Sequence, residues 1–182
     1  ANAAIEEIED GDFIWVHDYH LTLVPGMIKE EFPDSHIAFF WHIPWPPWEI
    51  FGNIPWRADI MNGMLRSDYI GFHTESLKKN FLSCAERIGK DVDHEISTVY
   101  LDNNSAKVDY IPLGVDYEKF NSLASREDMK SKAKELRDNI SSENIILGVD
   151  RLDYTKGIPQ RLRAFELFLE ENPKFRGDVT LV

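Results

Sequence analysis

The chain has 182 residues, 43% of them apolar and 29% charged, which is ordinary globular usage and enough chain for one domain or two small ones. Twenty basic residues against 32 acidic ones leave a net charge of −12, which argues against a broad nucleic-acid surface but not against a local basic pocket for a small anion. No apolar run approaches the roughly 18–20 residues of a membrane span, no cationic-then-apolar leader opens the chain, and the lone Cys84 cannot close an internal disulfide. The expected setting is therefore reducing and cytoplasmic, with neither nucleic acid nor membrane as partner.

Strand, loop and helix signals alternate along the chain without repeats. Residues 12–17 read as a short apolar strand after the Asp10-Gly11 turn. Residues 24–32 read as a helix with Pro25 in its first turn, where a missing N–H costs little. Residues 36–41 are nearly continuous in apolar character, as in a parallel strand covered on both faces. A loop rich in Pro and Trp spans 43–55, followed by a helix at 57–66 and a strand at 68–72. A helix at 75–88 places Leu77, Phe81, Cys84, Ala85 and Ile88 on one face, so Cys84 is expected in the core. Residues 90–104 are polar and have no clear period, and 107–111 read as a strand.

Ser125-Arg126-Glu127-Asp128 resembles a capping box opening a helix whose apolar face is Met129, Ala133, Leu136 and Ile140. A strand at 144–149 follows, then a helix with Pro159 in its first turn and Leu162, Phe165, Phe168 and Leu169 inward. The apolar run Asp178-Val179-Thr180-Leu181-Val182, like the missing initial Met, reads as a segment of a longer protein. Alternating strands and helices on both sides of a polar middle predict α/β units with parallel sheets.

In open α/β sheets ligands bind beyond the carboxyl ends of the strands. Polar groups fall there repeatedly: His17-Asp18-Tyr19-His20, then His42, then His73-Thr74-Glu75, then Asp116, then the loop 150–157. In that loop Arg151 and Lys156 flank a helix start, where free N–H groups and cationic side chains together favour a diphosphate. The same spacing also suits two solvated surface cations. His17, Asp18, His20 and His42 leave three readings open: a metal site, recognition of a hydroxyl-rich ligand, or strand-end groups satisfied by backbone. Trp41, Trp45, Trp48 and Trp56, crowded among Pro44, Pro46, Pro47 and Pro55, serve either as a rigidly packed loop or as stacking faces for a sugar or base. Walker, G-x-G-x-x-G and G-x-S-x-G patterns are absent.

Four runs occur in order: Trp15-Val16-His17-Asp18-Tyr19-His20-Leu21, His42-Ile43-Pro44-Trp45-Pro46 with Glu49-Ile50-Phe51, Asp68-Tyr69-Ile70-Gly71-Phe72-His73-Thr74, and Val149-Asp150-Arg151-Leu152-Asp153-Tyr154-Thr155-Lys156-Gly157-Ile158-Pro159. Together they resemble the trehalose-6-phosphate synthase family, retaining glycosyltransferases of the GT-B fold. The resemblance covers nearly the whole chain. It implies an α/β protein with two Rossmann-like domains and parallel sheets, of which this chain is a central segment. Residues 1–120 would be the second half of the acceptor-side domain, 121–142 a linker, and 143–182 the start of the donor nucleotide-sugar domain.

The activity implied is transfer of glucose from UDP-glucose to glucose 6-phosphate with retention, giving α,α-trehalose 6-phosphate. By motif, Asp18 would bind glucose 6-phosphate, and His42 would contact the donor glucose near the reacting centre. Arg151 and Lys156 would hold the donor diphosphate and stabilise the leaving group. No cofactor and no metal are implied, and a homo-oligomer stays open. Three alternatives share much of this machinery: a glucosylglycerol-phosphate synthase, a pseudo-glycosyltransferase joining cyclitols, and a non-catalytic module that senses sugar phosphates. The family's glycine-rich loop, its acceptor-phosphate groups and its later acidic donor motif lie outside this sequence, so the segment alone is expected to be inactive. Pro46-Pro47-Trp48 stands where small or polar residues are more usual in the family.

Overall fold

The computed structural model describes residues 1–182 in two units, Ala1–Gly114 and Val115–Val182. In the first, a single turn, α1 (Asn2–Ile5), precedes β1 (Phe13–His17). Then come α2 (Val24–Glu31), β2 (His36–Phe40), the one-turn α3 (Trp48–Phe51) inside the Pro/Trp loop, α4 (Arg57–Met64), β3 (Tyr69–Phe72) and α5 (Glu75–Arg87). The unit closes with β4 (Asp91–Asp93), β5 (Thr98–Leu101) and β6 (Asn104–Tyr110). The sheet order is β1-β2-β3-β6-β5-β4. The pairs β1–β2, β2–β3 and β3–β6 are parallel.

Burial follows the pattern that the strands announce. Ile37, Ala38, Phe39 and Phe40 of β2 are all buried, as a central strand covered on both faces requires. On β1, Val16 is buried whereas Phe13 and Trp15 are exposed, the alternation of a strand with one covered face. Thr74 caps α5, its Oγ1 accepting from the Leu77 N–H, and the helix buries Phe81, Leu82, Cys84 and Ala85. Cys84 is buried as expected, and burial pushes its thiol pKa up. The Lys29 ammonium binds Asp68 at 3.1 Å and donates to the Ser35 carbonyl at 2.6 Å, while Asp68 accepts the Ile37 N–H at 2.7 Å. This network ties α2 to the starts of β2 and β3, and its buried amine is fully paired.

Residues 90–104, without a clear period in sequence, form an antiparallel addition: β4 pairs with β5, and β5 with β6. The sheet is therefore mixed, with a parallel part that carries the four strands flanking the site residues. The Asp93 carboxylate organises the connection by accepting the N–H groups of Glu95 and Ile96.

The second unit contains α6 (Tyr117–Ala124), α7 (Glu127–Asp138), β7 (Asn144–Ile146), α8 (Ile158–Glu171) and β8 (Val179–Leu181), with β7 and β8 parallel. Helix α6 is an addition to the sequence reading; Asp116 caps it by accepting the Lys119 N–H at 3.0 Å. The capping box at Ser125 is corrected. Ser125 ends α6, and its Oγ donates to the Asn121 carbonyl at 2.8 Å, so it is not available to α7. Helix α7 is preceded instead by Arg126, whose guanidinium is bound by Asp128, and it has no side-chain cap. The apolar face of α7 is left uncovered: no residue of the helix is buried, and Leu136 is 67% exposed. On α8, Phe165 and Phe168 are half-buried; Phe168 packs against Phe165 and against Phe175, whereas Leu162 is exposed. A sheet of two strands offers little surface for these helices to cover.

Candidate functional site

Register builds the first cluster. His17 pairs with Phe40 across β1–β2, and Phe40 pairs with Gly71 across β2–β3. The three strands therefore end together, and Asp18, His42 and His73 follow at one carboxyl edge. The Asp18 N–H donates to the Phe40 carbonyl and the Trp41 N–H to the Gly71 carbonyl, which holds the chain in register beyond the strands. His17 Nδ1 lies 2.9 Å from His42 Nε2, and the two rings meet edge to edge, their planes 24° apart and their centroids 5.1 Å apart. His73 lies 5.4 Å from His42, ring to ring. The buried Phe40 ring sits against both, 4.9 Å from His42 and 5.0 Å from His73. Phe40 fits there because Gly71 has no side chain: a Cβ would lie 2.8 Å from the Phe40 ring.

Asp18 adopts φ 70°, ψ 165°, a region that residues other than glycine enter at a cost of about 1–3 kcal/mol. Its Oδ1 accepts the Tyr19 N–H at 2.9 Å, which leaves Oδ2 for a ligand. A strained residue at a strand end, with a free carboxylate oxygen, is the arrangement expected of a binding residue. The His42 pKa is lowered, first by burial and then by His17, with Asp18 opposing and His73 adding to the shift. His42 is thus neutral near pH 7. No group of three or more His, Cys, Asp or Glu side chains is arranged to hold a metal ion. Such an edge suits a ligand that offers hydroxyl groups to imidazoles and a carboxylate.

Of the tryptophans, Trp41 and Trp45 belong to the core. They meet edge-on at 4.7 Å, and Trp45 packs on Phe51 and Phe81 at 4.8 and 4.9 Å. Here the packed-loop reading holds; Trp56 is exposed instead. Next to the histidine edge, Tyr19, Trp41, Ile43, Pro44 and Ile60 line an apolar cavity of about 350 Å³.

The second unit carries the cationic loop. Asp153 Oδ1 accepts both the Thr155 N–H and the Thr155 hydroxyl at 2.9 Å, winding 154–156 into one 3-10 turn. The Thr155 N–H, then its hydroxyl, and last Arg151 and Lys156 hold the Asp153 carboxyl below its usual range. Gly157 then takes φ +60° and turns the chain into α8, with Pro159 in the first turn. Arg161, one turn into α8, is bound to Asp150. A Cβ at Gly148 would collide with that guanidinium. Arg151 and Lys156 are exposed, and no carboxylate pairs with either. The loop thus offers two free cations beside a helix N-terminus, a combination that attracts phosphate. Sequence reasoning singled out Asp18, His42, Arg151 and Lys156; it left the His17–His42 contact and the support from Phe40 and Gly71 unseen.

The model of glycosyltransferase family 20 matches residues 1–182. The α,α-trehalose-phosphate synthase (UDP-forming) of Pichia angusta is 42% identical over 184 residues, covering 98% of this chain and 38% of its own length. The enzyme of the same name from Candida albicans is 38% identical over 182 residues, again covering 98% and 38%. Among solved structures, the N-terminal domain of Candida albicans trehalose-6-phosphate phosphatase matches with TM-score 0.86 at 35% identity, covering 99% of this chain and 39% of that one. The trehalose-6-phosphate protein from E. coli bound with UDP-2-fluoro glucose matches with TM-score 0.85 at 27% identity, covering 99% and 40%. The chain thus spans about two fifths of the length of these relatives. Its fold class is the α/β, GT-B class of these neighbours, as the motifs led one to expect. Matched from end to end and similar throughout to named synthases, the chain belongs to glycosyltransferase family 20.

Proposed function

We propose that the protein carrying this chain transfers glucose from UDP-glucose to glucose 6-phosphate with retention, forming α,α-trehalose 6-phosphate. The observation that carries this reading is the carboxyl edge of the first sheet, where Asp18 and His42 stand together in a family 20 chain. In the reaction the bond from the anomeric carbon to the UDP oxygen breaks, and a bond to the acceptor hydroxyl oxygen forms on the same face. The acceptor's proton leaves with the diphosphate.

Each residue has a part. Asp18 accepts a hydrogen bond from a hydroxyl of glucose 6-phosphate through its free Oδ2. Neutral His42 hydrogen-bonds the donor glucose. Arg151 and Lys156 neutralise the diphosphate as it departs, an electrostatic task of the kind that often dominates such catalysis. Residues 1–120 would then serve the acceptor side, 121–142 the linker and 143–182 the donor side. A cytoplasmic location suits the single buried cysteine, and no helix is long and apolar enough to cross a membrane.

The likeness to the N-terminal domain of a trehalose-6-phosphate phosphatase favours a second reading, a domain that binds sugar phosphates without turning them over. The presence together of Asp18, His42, Arg151 and Lys156 supports catalysis instead. Incubating the full-length protein with UDP-glucose and glucose 6-phosphate, with and without divalent metal, decides between them. UDP and a disaccharide phosphate, detected by mass spectrometry without added metal, are expected. Binding of UDP-glucose without product would favour the second reading.

A further inference from the structure

We propose that His17 is a positioning residue, which orients His42 for the donor sugar through one proton shared between His17 Nδ1 and His42 Nε2. The proposal rests on the assignment of His42 to the donor glucose.

The geometry allows no other protonation of the contact. At 2.9 Å two bare ring nitrogens would repel each other, and two N–H groups would collide. One nitrogen must donate and the other accept, so the two rings hold complementary tautomers and share at most one positive charge. The backbone on both sides is fixed. His17 ends β1 opposite Phe40, and the Asp18 N–H closes the register onto the Phe40 carbonyl. The His42 ring is exposed, and its contact with His17 is its one side-chain hydrogen bond. Phe40 supports it from below, resting over the bare Gly71. Without His17 the ring keeps that floor but loses the bond that sets its rotation.

The groups facing His42 are His17 and Asp18 at the end of β1 and His73 at the end of β3, with no Lys or Arg among them. Burial and the two neighbouring histidines hold the His42 pKa down against the pull of Asp18, which favours a neutral His42 ring in the single bridge.

The test uses the full-length protein, with specific 15N labelling of histidine. A through-hydrogen-bond coupling between His17 Nδ1 and His42 Nε2 is expected in the free protein; two nitrogens in the same protonation state would overturn the pairing. His17→Ala should lower kcat/KM for UDP-glucose about tenfold to a hundredfold, the scale of a misplaced reacting group. Its affinity for UDP, held by other residues, should not change. His17→Asn, which places an amide near the Nδ1 position, should restore most of the loss at equal thermal stability. Unchanged kinetics in His17→Ala, or equal losses in Ala and Asn variants that both fold, would overturn the positioning role. A wild-type protein that shows the coupling but does not turn over UDP-glucose would sink the transferase reading and leave the pair intact.

Discussion

Asp18 gives the sharpest link between strain and function. Its backbone lies at φ 70°, ψ 165° while its carboxylate accepts the Tyr19 N–H. Replacing it by Ala removes that hydrogen bond and keeps the strain, since Ala has a Cβ. Replacing it by Gly removes the same bond and relieves about 1–3 kcal/mol of strain. Glycine costs about 0.5–1 kcal/mol in extra freedom of the unfolded chain. Asp18→Gly should therefore be more stable than Asp18→Ala by about 1 kcal/mol, although both lose the ligand carboxylate. Urea unfolding of the two variants side by side, at matched slopes, reads the difference as a shift in midpoint. An Ala variant as stable as the Gly variant would refute the idea that this position stores strain. Asp18→Asn keeps an acceptor for Tyr19, so it should fold like the wild type yet raise KM for glucose 6-phosphate. Unchanged acceptor kinetics would remove Asp18 from the site.

Three further predictions use other parts of the structure. Gly63→Ala puts a Cβ 2.5 Å from the Thr22 carbonyl oxygen and 2.9 Å from the Leu23 Cα, both backbone; it should cost about 1–3 kcal/mol, and a melting temperature equal to wild type would contradict the close approach of α4. Arg151→Ala and Lys156→Ala should each cut kcat about a hundredfold or more, as loss of a charge-stabilising donor does, with stability unaltered because neither is tied to a protein carboxylate. Near-normal turnover in both would end the diphosphate assignment. The lowered pKa of His42 sets a pH dependence. The folded protein resists protonation there more than the unfolded chain does, so the neutral ring's contribution is intact above the ordinary value of 6.5 and is lost as pH falls through the folded value. The acid limb of kcat/KM should therefore lie below pH 6.5 and should vanish in His42→Ala; a limb that persists there belongs to another group.

The parallel strands were legible because each is a short apolar run ending in polar groups, and a strand's end is where an open sheet binds ligands. Asp18 and His42 could be singled out on that ground, and Arg151 and Lys156 from their place just before the start of α8. The hairpin formed by β4 and β5 was hidden by its composition: Asp91-Val92-Asp93 has one apolar residue, and pairing with β6 rather than propensity makes it a strand. Helix α6 was detectable from Asp116 and the spacing of Tyr117, Phe120 and Leu123, but Ser125 drew attention to the following helix. The contact between His17 and His42 could not be read from sequence. The two residues lie 25 positions apart, and only the register of β1 against β2 brings them together. The same holds for Gly71, whose missing side chain matters only because Phe40 lies across it.

The stereochemistry and stoichiometry of the product bear on retention and on the diphosphate clamp together. Full-length protein, UDP-glucose and glucose 6-phosphate would be followed by proton NMR of the anomeric signals, beside the Arg151→Ala variant. One UDP released per α,α-linked disaccharide phosphate is expected, with both signals collapsing in the variant. A β-linked product, or UDP released equally fast without glucose 6-phosphate, would contradict the proposed transfer.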